Sequence, residues 1–391
     1  MRGSGSAAVA DQVVETVELY RVAMPLRSPF RSSRDRTVVR ELILVHVIGD
    51  QADGWGECVA PSAPTYTAEY ACGAAAVLTE HLLPRLAGGR CPSLELAGRL
   101  APVRGHPMAK AALEVAWLDA ELRAACVSAS EWLGLRRSRV PAGVAVGMPG
   151  DAPPETAAER DRAVDALLEE VEGHLAAGYR AVKVKIAPGF DLAPLVALRD
   201  RFGPALDLGA DANGAYTRAG AEALVALDDL GLAYLEQPLD PEDLLGSAAL
   251  QRVLRTPVCL DESLSSPAAA MLAFELGAGG LASLKAGRLG GLVATLRLAE
   301  WASSRGVGCR AGGMLETGVG RALAVVVAAL DACNVVGELS ASDRYFAEDL
   351  AGPFCLDEGQ LSLPPGPGFG VTPFLDVLRE RTVARQEVRL A

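Results

Sequence analysis

From the midpoint of the chain onward, a polar residue closes a short apolar run at an almost fixed interval. Lys185, Asp211, Glu236, Asp261, Lys285 and Arg310 follow one another at spacings of 26, 25, 25, 24 and 25 residues. The apolar runs of the series are Gly143–Val146, Ala181–Ile186, Ala205–Leu208, Leu232–Leu235, Pro257–Leu260, Leu281–Leu284 and Val307–Cys309, separated by Ala/Leu-rich windows of helical period. Such an interval holds one strand, one helix and two turns, so the series predicts repeated βα units closing into a barrel rather than an open sheet with variable crossovers. The C-terminal ends of barrel strands form the active face, and the six polar residues are expected there, on one rim.

The flanking segments are of another kind. From Val13 to about Ile48 the pattern alternates with period two, and Asp53-Gly54 is expected as a turn before Trp55. Between Ala68 and about Leu133 the period becomes helical, with residues 112–122 as an apolar stripe facing a core. Three parts are expected: an α+β unit over 1–138, the barrel over 139–340, and a Pro/Gly-rich segment over 341–391 that returns to the first unit. The opening MRGSGS lacks an apolar targeting core and is expected to be a flexible tail.

Composition removes several classes of function. Half of the 391 residues are apolar, enough for a sizeable core, and the net charge of 37 − 49 = −12 disfavours nucleic acid and anionic membranes as partners. The most apolar stretch, Ala322–Leu330, is too short to span a bilayer. Eight cysteines without a CxxC pair argue against zinc knuckles and disulfide scaffolds and point to the reducing cytoplasm. The four histidines all precede the midpoint, so a metal site in the barrel would rest on carboxylates.

Strand order then supplies chemistry. Asp211, Glu236 and Asp261 end the third, fourth and fifth runs, and three neighbouring carboxylates repel one another unless a cation lies between them. Oxygen donors alone select magnesium, with manganese as the alternative. Lys185 and Lys285 end the second and sixth runs, four apart in an eight-membered ring, so they face each other across the mouth and offer a base to each side of a substrate. Lys183 shares the face of Lys185 and lowers its pKa as a neighbouring cation. A Schiff-base role for Lys285 leaves the acids without work, and the Gly287, Gly290 and Gly291 cluster is expected as a turn rather than a phosphate cradle.

These residues carry a resemblance. PLRSPFRSS (25–33), DGWGEC (53–58), MAKAALEVAWLDAEL (108–122), KVKI (183–186), DANGAY (211–216), YLEQPL (234–239), CLDES (259–263), LKAGRLGG (284–291), GGMLETGVGRA (312–322) and SASDRYF (340–346) stand in the order seen in the enolase superfamily. Within its muconate-lactonizing subgroup, the chain resembles the o-succinylbenzoate synthase / N-acylamino acid racemase family. The resemblance implies a modified TIM barrel of (β/α)7β type under an α+β capping domain, whose loops around Pro29–Thr37 and Pro61–Tyr66 close over the substrate. It implies magnesium on Asp211, Glu236 and Asp261, paired acid/base lysines at 185 and 285, and a homo-oligomer. It places Lys183, Asn213, Gly312, Met314 and Glu316 around a small-molecule carboxylate substrate. The shared step would be removal of the proton α to that carboxylate through an enediolate. Return of a proton gives a racemase or epimerase, whereas syn-dehydration gives o-succinylbenzoate, a menaquinone precursor. A non-catalytic binding module is the third reading.

Three positions depart from the family pattern: Arg34 on the capping loop, Ala145 on the first barrel strand and Arg310 on the seventh. A strand-end arginine near a divalent metal and two lysines calls for an anion, so Arg310 and Arg34 are expected together to bind a second acidic group of the substrate.

Overall fold

The computed structural model describes residues 11–390, and the MRGSGS stretch lies outside them. Strands Val14–Arg31, Arg36–Gly49 and Asp53–Cys58 form an antiparallel meander. Thr382–Arg389, from the far end of the chain, pairs with the first of them at the sheet edge. Period-two alternation along the second strand sorts its side chains. Ile43, Val45 and Val47 pack with Leu78, Leu82 and Trp117, while Leu42 and Leu44 pack with Tyr345, Phe346 and Leu350.

Two local expectations change. Asp53 and Gly54 begin a strand, and the turn lies just before them. Gly54 and Gly56 instead present bare backbone to the helix Pro107–Ala124: a Cβ at these positions would lie 2.1 Å from Ala116 O and 2.2 Å from Ala112 O. That helix is buried on nearly every side rather than along one stripe, because it is wedged between the small sheet and the barrel. Its acids survive burial as acceptors for backbone N–H groups. Asp119 accepts from Trp55 N (2.9 Å) and Phe369 N (2.7 Å), Glu121 from Ser93 N (2.8 Å), and Glu114 from Val293 N (3.0 Å).

The seven parallel strands run in chain order: Gly143–Val146, Ala181–Lys185, Asp207–Asp211, Tyr234–Glu236, Val258–Leu260, Leu281–Leu284 and Gly308–Ala311. The third begins later than its apolar run suggests and takes in Gly209 and Ala210. An extended segment after Cys333 lies in the eighth position. Asn334 N and Val335 N donate to Cys309 O on the seventh strand, and a Cβ on Gly143 of the first strand would lie 2.4 Å from Gly337 O.

Glu114 joins the two units at the N-terminus of the helix Leu292–Ser304, and burial pushes its pKa up to about 7, against the opposing backbone hydrogen bonds. A carboxyl whose folded pKa lies above its unfolded value keeps a proton that the unfolded chain has lost. Stability contributed at this site is therefore full below about pH 4.5 and declines as pH rises toward about 7. Urea unfolding across that window should show this decline, and Glu114→Gln, which retains the acceptor, should flatten it. The same slope in parent and variant would contradict the assignment.

Candidate active site

The strand register places the rim residues side by side: Lys185 opposite Asp211, Asp211 opposite Glu236, and Glu236 opposite Cys259, two residues before Asp261. All are buried, and ammonium groups bridge the carboxylates. Lys183 Nζ lies 2.9 Å from Asp211 Oδ2, 2.8 Å from Glu236 Oε2 and 2.9 Å from Glu338 Oε1. Lys185 Nζ lies 2.7 Å from Asp211 Oδ2 and 2.8 Å from Asn213 Oδ1. Across the mouth, Lys285 Nζ lies 2.7 Å from Asp261 Oδ2.

Other groups brace this side. Arg288 donates to Asp261 O (2.9 Å) and to the Tyr66 hydroxyl (2.9 Å), and that hydroxyl donates to Asp261 Oδ2 (3.0 Å). Asn213 Nδ2 donates to Glu262 Oε1 (2.9 Å). Tyr66 ends a loop that was expected over the substrate, whereas Arg288, Glu262 and Glu338 escaped the sequence reading of the site. Arg288 stands three residues after Lys285, a helical step onto the same face, and Glu262 directly follows Asp261. Glu338 sits on the eighth segment, which carries no strand-like run to reveal it.

Burial pulls the Lys185 ammonium below the ordinary lysine value; Asp211 opposes this and Lys183 adds to it. Lys183 thus acts in the expected direction, but burial is the larger cause. For Lys285 burial acts the same way, yet Asp261, Tyr66 and Glu236 together outweigh it and the pKa stands above the ordinary value. Asp211 and Asp261 resist the effect of burial because the lysines beside them hold both carboxyls well below the usual range. Burial, Asp261 and Asp211 push Glu262 up to about 7.

Among the described residues, no three histidine, cysteine or acidic side chains are gathered tightly enough to enclose an ion by themselves. The donor chemistry still fits a hard cation. Three carboxylates end adjacent strands, and Glu236 Oε1 is buried without a hydrogen-bond partner although Oε2 has two cationic ones.

Above the rim is a cavity of about 130 Å³ lined by Phe30, Thr37, Tyr66, Lys183, Lys185, Asn213, Lys285, Met314 and Glu338. Both lysines reach it, from strands two and six. Gly312 lies beside Lys285, where a Cβ would approach Lys285 Cε to 2.6 Å. Glu316 turns away and faces Arg321 at 3.7 Å.

The expected anion site of Arg34 and Arg310 is corrected. Arg310 is fully buried beneath the rim, donates to Glu236 Oε2 at 2.7 Å and meets Glu338, so its charge is already matched by protein acids. Arg34 Nε donates to Asn213 O at 2.5 Å and clamps the capping loop to the third strand end, together with Ser33 Oγ on Ala212 O (2.8 Å). Buried carboxylates thus take up the charge of Arg310 beneath the rim, while backbone carbonyls hold Arg34 on the loop above, so the two do not form one anion site.

The chain is similar to known proteins. Residues 166–377 match the family described as enolase C-terminal domain-like. The chain is 44% identical to the N-succinylamino acid racemase of an Amycolatopsis species, over 94% of this chain and 97% of that one. It is 37% identical to the o-succinylbenzoate synthase of Bacillus subtilis, over 94% and 96%. A solved enolase-superfamily structure from Listeria innocua superposes with a TM-score of 0.90 at 33% identity, covering 97% of this chain and all of that one. The curled parallel sheet with its antiparallel companion is thus a barrel under a capping domain, and the chain belongs to the enolase superfamily, among enzymes that include racemases and o-succinylbenzoate synthases.

Proposed function

We propose that this chain racemises N-acylamino acids by moving the proton α to the substrate carboxylate. The observation that carries the reading is the placement of two buried lysines, 185 and 285, on opposite sides of one cavity. A carbon held between them has a base on one face and an acid on the other. Lys185 takes the proton from one enantiomer while Lys285 returns one from the opposite side, and the roles reverse for the other enantiomer. The names of two relatives, 44% and 40% identical, support N-succinylamino acids as the substrate class.

Asp211, Glu236 and Asp261 would hold magnesium, or manganese in its place. Such a cation supplies stabilisation of the negative charge that gathers on the substrate carboxylate. Lys183 fixes Asp211 and Glu236, while Asn213 and Asp211 hold Lys185 and Asp261 holds Lys285. Phe30 and Tyr66 lie close to the two ammonium groups, at 6.0 Å and 5.9 Å from ring centre to Nζ, and keep bulk water from them. Among the described residues all eight cysteine side chains are free thiols, which supports a reducing compartment such as the cytoplasm.

Dehydration to o-succinylbenzoate is the second reading, favoured by relatives of that name at 34–39% identity. The two readings separate by product. With magnesium and an N-succinylamino acid in deuterium oxide, proton NMR should show loss of the α-proton signal and loss of optical activity together. Lys185→Ala and Lys285→Ala should each lower racemisation by about 10²–10⁴-fold. Each should keep exchange for one enantiomer only, and for opposite ones. Racemisation at the parent rate in both variants would contradict the two-base reading, and an aromatic product from the parent enzyme would establish dehydration.

The acids make a separate prediction. Asp211→Asn, Glu236→Gln and Asp261→Asn should each lower turnover by at least the roughly 10–100-fold that changes outside the ligand shell cost a metal site, and should reduce the thermal shift produced by magnesium. Full parental activity in excess chelator would contradict the ligand set.

A further inference from the structure

Below the rim, one period-two step down the strands, lies a second ring of inward-facing residues: Lys183, Gly209, Tyr234, Cys259, Ser283 and Arg310. Barrel layers are usually filled by branched apolar side chains, so a polar ring here needs a reason. Gly209 and Tyr234 are register neighbours, and a Cβ on residue 209 would lie 2.4–2.7 Å from atoms of the tyrosine side chain. The missing side chain lets the Tyr234 ring lie across the floor of the barrel. Arg310 stacks on that ring with its guanidinium carbon 4.4 Å from the centre.

The stacked arginine joins a set of paired charges that Lys183 links onward to Asp211. Arg310 Nη1 donates to Glu236 Oε2 at 2.7 Å, and Lys183 Nζ donates to the same oxygen at 2.8 Å. Glu338 in turn meets Arg310 through Oε2 and accepts from Lys183 through Oε1 at 2.9 Å. Two acids and two bases, all buried, therefore balance one another. Glu236 Oε2 is fully engaged, which leaves Oε1 as the oxygen without a partner.

We propose that Arg310 is a built-in counter-cation, a positioning residue that keeps Glu236 and Glu338 buried when no metal is bound and that lowers the affinity of the rim for a divalent cation. The inference rests on reading Glu236 as a metal ligand. A fixed positive charge on the ligand's other oxygen opposes a second cation, whereas loss of that charge would expose the site to the unbalanced carboxylate of Glu338. Glu338 and Arg310 must therefore act on metal affinity with opposite signs.

Titration calorimetry with magnesium chloride, and thermal unfolding with and without magnesium, test this on four chains: the parent, Arg310→Met, Glu338→Gln, and the double variant. Arg310→Met should unfold at a lower temperature without metal, bind magnesium about tenfold more tightly and gain a larger metal-dependent rise in Tm. Glu338→Gln, a nearly isosteric change that keeps the fold testable if Arg310→Met aggregates, should bind about tenfold more weakly. The double variant should return to within about threefold of the parent. Equal losses of Tm with and without metal and an unchanged Kd would show that Arg310 only packs, and would overturn the inference. An unchanged Kd in Glu338→Gln would overturn it as well. A parent chain that binds no magnesium would overturn the metal reading and this inference with it.

Discussion

Charge pairing inside a nearly dry barrel mouth is the constraint on which the remaining structure depends. Asp211, Glu236, Asp261, Glu262 and Glu338 are buried there with Lys183, Lys185, Lys285, Arg288 and Arg310. A lone ion in such a place costs several kcal/mol, so these side chains are held where a partner of opposite sign can reach them, except Glu262, whose carboxyl is pushed up and bonded to the Asn213 amide. The backbone is shaped to the same end. Asn213 and Gln237 adopt left-handed conformations (φ 47° and 35°) just beyond the third and fourth strands. Gln237 uses that position to accept from Asp261 N and Ser263 N, both at 3.1 Å, and so fixes the fifth strand end. The geometry of the lysines is thus a product of the whole rim.

The capping domain reaches that rim through carboxylates set on the starts of barrel helices. Glu57 accepts from Thr317 N and from Gly320 N at the head of the helix Gly318–Ala328, as Glu114 does one helix earlier. Burial pushes Glu57 up to about 8, with Glu316 adding to the effect and the Thr317 hydrogen bond opposing it. Arg40 links the second strand to the loop that carries Tyr66 by donating to Ala60 O (3.1 Å) and to Val59 O. These contacts set the height of Phe30 and Tyr66 above the lysines, and they join the fold directly to the shape of the cavity.

How much of this was legible in the sequence depended on the kind of signal. Lys185, Asp211, Glu236, Asp261 and Lys285 were readable because each closes an apolar run, and regular spacing turned five separate residues into one rim. Glu338 was hidden because its segment pairs through only a few backbone groups and has no strand-like run. Without Glu338, Arg310 looked like a cation in search of a ligand; with it, the arginine is already paired. Gly54 was misread for a similar reason. Its local dipeptide resembles a turn, while its actual role comes from a helix more than fifty residues away in the chain. Local pattern revealed what is local, and the rest depends on partners brought together by closure of the barrel.

The central claim is that one carbon sits between two lysines on a rim of three acids. A crystal structure with magnesium and an N-succinylamino acid bound tests it most directly. The account predicts the substrate α-carbon between Lys185 Nζ and Lys285 Nζ, with the two nitrogens on opposite faces, and a cation held by Asp211, Glu236 and Asp261. A substrate whose α-carbon meets only one lysine, or a cation bound elsewhere, would contradict it.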